Sequence, residues 1–192
     1  MGVATTEFSV RKTEIPGLLV FDITSMADER GWFQEKFHRA KLVAAGLPES
    51  FEVVQTSVSF NRSAGVTRGF HAEPWDKYIS VVAGRVFCAY LDLRAGGNFG
   101  RVVTVEIDQN CAVFLPRGVA NSFQTLEDDT YYIYSVNRHW SAEEYDDYVF
   151  VNLADPALGV RWPIPLDEAV ISERDRNHAA LADVRPFDEV PA

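Results

Sequence analysis

The feature that most restricts the folds open to this chain is a succession of short apolar runs broken by glycine or polar residues. Runs of strand-like content cover 17–21, 34–37, 53–60 and 76–82, then 85–93, 101–107, 112–115 and 131–136. Their length and their β-branched and aromatic content fit strands better than helices. Ala83-Gly84 and Gly96-Gly97 are expected to be hairpin turns. One helix is expected from about Arg39 to Ala45, closed by Gly46 and then Pro48. Many short strands with regular turns predict an all-β sandwich or barrel with a few short peripheral helices. After Pro163 the chain becomes charged and proline-punctuated, which reads as a surface segment with short helical turns. A single domain is expected over 1–187, with 188–192 a loose tail or linker.

The formal net charge of −10 argues against a nucleic-acid coat or an anionic membrane as partner, because both need a basic patch. An anionic small molecule remains open, provided arginines gather locally. There is no leader-like N-terminus and no apolar run long enough to span a bilayer, so a cytoplasmic protein is expected. Cys88 and Cys111 lie in apolar runs and form no C-x-x-C, which reads as buried free thiols.

The informative stretch is Gly65-Val-Thr-Arg68-Gly-Phe-His71-Ala-Glu73-Pro-Trp-Asp-Lys77, leading into an apolar strand that ends at Gly84. It resembles the first cupin motif, so the fold is expected to be a cupin jelly-roll β-barrel. His71, Glu73 and Lys77 stand at the positions of its three metal ligands. The second motif resembles 110–125, with Pro116 and Gly118 in place and Asn121 where its histidine ligand belongs. A lysine cation repels a divalent ion and an amide is a poor substitute for imidazole. No bound metal and no cofactor are therefore expected.

This combination resembles the dTDP-4-dehydrorhamnose 3,5-epimerase family over nearly the whole chain. The pieces are Asp28-Glu-Arg30-Gly-Trp-Phe33-Gln-Glu35, Gln55-Thr-Ser57, Arg68 to His71, Lys77 and Asp92-Leu-Arg94. Pro116-Arg-Gly118, Tyr134, Trp162-Pro163 and Ser172-Glu-Arg-Asp175 follow in order. The resemblance implies an isomerase acting at C3, C5 or both of a dTDP-linked 4-keto-6-deoxy sugar. Protons beside a ketone are acidic because the anion delocalises as an enolate. Inversion then needs a base on one face, an acid on the other and a cation at the ketone oxygen. By resemblance His71 is the base, Asp175 its orienting carboxylate, Lys77 the oxyanion partner and Tyr134 the acid. Strand alternation places Tyr132 and Tyr134 on one face and Tyr131 on the other. Arg30, Arg68 and Arg174 are expected at the diphosphate, where guanidinium forks match phosphate oxygens. Phe33 and Trp140 are expected near the nucleobase, with Glu35 accepting its N–H. Gln55, Ser57 and Asn121 complete the substrate-binding set. The segment from Arg30 to Glu35 resembles one donated across a homodimer interface.

Several positions depart from the family pattern. A histidine is usual at Asn121, an asparagine at Ser57 and an aromatic pair at His139 and Trp140, and the loop from His71 to Lys77 is short. Losing the histidine at 121 leaves open an epimerase of one centre only. A ketoisomerase on the same fold has less support, since no second catalytic histidine is evident near His71. A non-catalytic sugar-nucleotide-binding cupin would have no use for His71, Asp175 and Tyr134 together.

Overall fold

The structure is a computed structural model and describes residues 4–5 and 7–187. From the N-terminus the strands are β1 (Ala4–Thr5), β2 (Ser9–Lys12), β3 (Leu19–Asp22), β4 (Ser25–Asp28) and β5 (Gly31–Gln34), followed by helix α1 (Arg39–Ala44). Next come β6 (Gln55–Asn61), β7 (Val66–Ala72), β8 (Lys77–Ala83), β9 (Val86–Asp92) and β10 (Val102–Ile107). Then follow β11 (Cys111–Leu115), β12 (Val119–Thr125), β13 (Thr130–Val136), β14 (Val149–Phe150), β15 (Val170–Ile171) and helix α2 (Glu173–Arg176).

Two six-stranded sheets carry the fold. One runs β10-β9-β12-β7-β14, with β15 added in parallel to β7, and the other runs β2-β3-β11-β8-β13-β6. Their inner faces bury Val20, Ile79, Val81, Val113, Phe123 and Tyr132 in one cluster. This is the expected jelly roll. The hairpin β4–β5 stands apart with β1 in a small third sheet.

The apolar runs are continuous because both faces of the central strands are covered. On β9, Val86, Cys88 and Tyr90 point into the barrel, while Ala89 and Leu91 point the other way into a second cluster. That outer cluster is roofed by Val151, Leu153, Leu158 and Phe187 from the C-terminal part of the chain. A third cluster packs α1 through Leu42 against Phe21, Tyr78 and Phe114.

Four local expectations are corrected. Strand β5 ends at Gln34, so 34–37 is not a strand of its own. Lys36 there donates to the carbonyls of Val81 and Gln109 and accepts from Tyr78 Oη, so the segment crosses the second sheet instead of pairing with it. Ala83-Gly84 joins strands of different sheets and is no hairpin turn. Gly84 has φ of +85°, and a Cβ there would lie 2.2 Å from Thr130 Oγ1, so both backbone and packing require glycine. The segment after Pro163 does not merely lie on the surface: β15 pairs with β7, and Ala169, Asp175 and Phe187 are buried. Strands β7 and β12, unmarked among the apolar runs, pair with each other near the centre of the first sheet. The proposed tail at 188–192 lies outside the described residues.

If the outer cluster is a true core, Leu91→Ala should cost about 2–5 kcal/mol, as much as Ile79→Ala inside the barrel. Urea unfolding at fixed protein concentration measures both. A loss below about 1 kcal/mol for Leu91→Ala would show that the C-terminal roof contributes no core.

Candidate active site

Between the two sheets lies a cavity of about 570 Å³. His71 reaches it from β7 and Tyr134 from β13, so imidazole and phenol face it from opposite walls. Lys77, the first residue of β8, lines it as well.

His71 is held from behind. Its Nε2 lies 2.7 Å from Asp175 Oδ1. Pairing of β15 with Val66 and Thr67 of β7 carries the following helix α2 alongside His71, and Ser172 caps α2 by accepting from the Asp175 N–H at 3.1 Å. Burial pushes the Asp175 carboxyl upward, but hydrogen bonds from His71, His178 and Ser172 prevail and hold it below the usual carboxylate range. An ionised carboxylate only accepts, so His71 Nε2 carries the hydrogen and Nδ1 carries the lone pair. Nδ1 is thus the nitrogen available to take a proton.

Lys77 is 5% exposed. Its ammonium donates to Glu73 and, at 2.5 Å, to Asn121 Oδ1. Burial depresses its pKa and the Glu73 charge opposes that. The bond to Asn121 on β12 ties the two sheets together across the cavity. Glu73, Lys77 and Asn121 occupy three cupin ligand positions, and two of them converge on the third's ammonium. That donor set suits a fixed internal cation and does not fit a divalent metal. A separate group, His71, Asp175 and His178, brings ligand-type atoms within 4.8 Å of one another, with both imidazoles directed at one carboxylate oxygen.

Tyr134 is half-buried, and burial together with the Glu73 charge raises its pKa, so the phenol keeps its proton at neutral pH. Gln55, Ser57, Arg68, Asn121, Trp140 and Arg174 also line the cavity. Gln55 accepts from the Trp140 backbone N–H at 3.0 Å and donates to Ser57 Oγ at 3.3 Å, which fixes the rim. Arg68 Nε donates to Asn61 at 3.2 Å. The Arg174 guanidinium lies 4.9 Å above the Tyr145 ring.

Three expected site residues are not brought to this cavity within one chain. The Arg30 side chain is 83% exposed and paired with Asp28. Phe33 is 61% exposed, and Glu35 is bonded to Lys41.

The cavity also contains groups that were not expected as site residues. Glu73 serves as counter-ion to Lys77, and its place at a neighbouring cupin ligand position was the available hint. Trp75, Tyr145, Tyr148 and Phe150 build an aromatic wall; the aromatic-rich run from Tyr145 to Phe150 was the available hint. A second histidine, not singled out in the sequence, does stand beside His71. The His178 ring centre lies 6.0 Å from that of His71, because α2 folds back onto β7.

Residues 12–183 match the family model described as dTDP-4-dehydrorhamnose 3,5-epimerase. A Streptococcus pyogenes protein named "Protein RmlC homolog" is 50% identical over 178 residues, covering 91% of this chain and 89% of that protein. A dTDP-4-dehydrorhamnose 3,5-epimerase of Methanothermobacter thermautotrophicus is 32% identical, covering 91% and 95%. The solved structure of RmlC from Streptococcus suis in complex with dTDP-D-xylose superposes with a TM-score of 0.91 at 47% identity, covering 96% of both chains.

Removing the counter-ion of a buried ammonium should be costly. Glu73→Leu is expected to destabilise the fold by about 3–5 kcal/mol, and adding Lys77→Met should recover most of that loss. Denaturant unfolding of both single variants and the double variant gives the coupling. Additive losses would mean that the two charges do not support each other.

Proposed function

Since this chain belongs to the dTDP-4-dehydrorhamnose 3,5-epimerase family, we propose that His71 and Tyr134 invert C3, C5 or both of a dTDP-linked 4-keto-6-deoxy sugar. The observation that carries this reading is an imidazole and a phenol on facing walls of one cavity that also holds a buried ammonium.

His71 Nδ1 takes the proton from the carbon beside the ketone. The C–H electron pair moves into the ring and the carbonyl pair onto oxygen, giving an enolate. Asp175 stabilises the imidazolium that forms, and Lys77 holds the enolate oxygen. Tyr134, kept protonated by burial, delivers its proton to the opposite face and inverts the centre. His71 then loses its proton and Tyr134 regains one through water before another centre can turn over. Arg68 and Arg174 suit the diphosphate, and Trp140 at the rim suits the base.

Arg30, Phe33 and Glu35 act in this reading from a second copy of the chain. The hairpin β4–β5 exposes Met26, Trp32 and Phe33, while Val58, Phe60 and Tyr131 form an exposed apolar patch on the edge of the second sheet. Apolar surface of this kind supports a homodimer. Cytoplasmic placement is in keeping with two free cysteines, and no helix among the described residues is long and apolar enough to cross a membrane.

Inversion at one centre only is the second reading, and Asn121 favours it. Its amide is committed to Lys77, so this position offers no second titrating group.

Incubation with dTDP-4-keto-6-deoxyglucose in heavy water, followed by NMR, tests the division of labour. His71→Ala should lose deuterium wash-in at every centre by at least about 10²–10⁴. Tyr134→Phe should exchange without inverting. Wash-in that survives His71→Ala at full rate would place the base elsewhere, and equal wash-in at C3 and C5 would remove the one-centre reading. Light scattering should give a dimer at micromolar concentration; a fully active monomer would overturn the shared site.

A further inference from the structure

His71 and His178 compete for a single oxygen. His71 Nε2 lies 2.7 Å and His178 Nε2 3.3 Å from Asp175 Oδ1. His178 is fixed by more than this bond. Its ring stacks on Phe150 with centroids 4.7 Å apart and planes 13° apart, and Phe150 meets His71 edge-on at 5.2 Å. The two imidazoles stand at 84° to each other. One carboxylate and one phenyl ring therefore set the position of both.

We propose that His178 is a positioning residue for the epimerase reaction, holding Asp175 through its Nε2–H so that the carboxylate meets His71 with a fixed direction and a shared charge. The inference rests on His71 being the base. The titratable and charged groups facing His178 are Asp175 and Arg174 from its own segment and His71 from β7, with the Phe150 ring of β14 covering one side. Burial depresses the His178 pKa, and His71 and Arg174 add to that against the pull of Asp175. It thus stays neutral near pH 7 and donates without placing a second cation beside the imidazolium that forms on His71. Without its N–H, Asp175 would turn its whole charge on His71 and lose one of its fixed directions. The base would then remain protonated to higher pH and be less well aimed.

The test uses His178→Phe, which keeps a ring against Phe150 but has no donor, and His178→Gln, which replaces the Nε2–H with an amide N–H. For His178→Phe, kcat should fall about tenfold with KM within about twofold, and the acid limb of kcat/KM should move up by about half a pH unit. The His71 imidazole, followed by NMR in the unliganded protein, should titrate higher by a similar amount. His178→Gln should restore both the rate and the limb. Unchanged kcat, limb and NMR titration in His178→Phe would overturn the proposal. So would a loss confined to KM with the limb unmoved, which would make His178 part of the substrate surface. His71→Ala run in parallel separates the two claims: if it retains deuterium exchange, the base assignment fails whatever His178 does.

Discussion

An ammonium buried in a β-barrel has to be answered by other groups, and much of this cavity follows from how Lys77 is answered. Taking its charge out of water costs several kcal/mol unless acceptors are fixed around it. Glu73, just after β7, and Asn121, on β12, supply them from the sheet opposite β8. The demand for two acceptors therefore cross-links the walls at the point where the apolar filling of Ile79 and Phe123 gives way to the cavity. It also selects the chemistry. A barrel with convergent neutral and anionic ligands can take a metal ion, whereas one that already holds its cation covalently offers a fixed partner for an oxyanion and no ligand set at that place.

His71 and Tyr134, the proposed base and acid, inherit their placement from strand pairing. His71 sits opposite Asn121 in the register of β7 and β12, and Tyr134 sits opposite Ile79 in that of β13 and β8. Strand alternation does the rest: Tyr132 fills the core, Tyr134 two residues on reaches the cavity, and Tyr131, the residue before Tyr132, is exposed on the other face. The same anion, Glu73, both balances Lys77 and helps to keep the Tyr134 phenol protonated. Binding charge and proton supply are coupled through one carboxylate.

Much of this was legible in the residues, for a physical reason. Strands such as β8, β9 and β11 bury apolar side chains on both faces, so they stand out as unbroken runs. Strands β7 and β12 do not, because they carry Arg68, His71, Asn121 and Gln124, whose polar groups are satisfied only by distant partners. Gln124, for example, donates to Thr67 and to the carbonyl of Ile164, forty residues further on. The cupin spacing recovered His71 and Lys77 despite that polarity. Nothing local showed that the charged, proline-rich stretch after Pro163 folds back as a roof, and so His178 was not singled out. The positions of Arg30, Phe33 and Glu35 depend on a second chain in the proposed reading, which only the resemblance of that segment to a donated one suggests.

The carboxylate beside His71 lies C-terminal to every strand of the two facing walls. A ribosome that has released residues up to Val136 has supplied His71, Lys77 and Tyr134, but neither Asp175 nor the roof over Leu91. In the proposed reading, His71 meets its carboxylate only when the C-terminal strip docks on β7. One stretch of chain thus does two things: it covers the apolar outer face around Leu91 and carries Asp175 to His71.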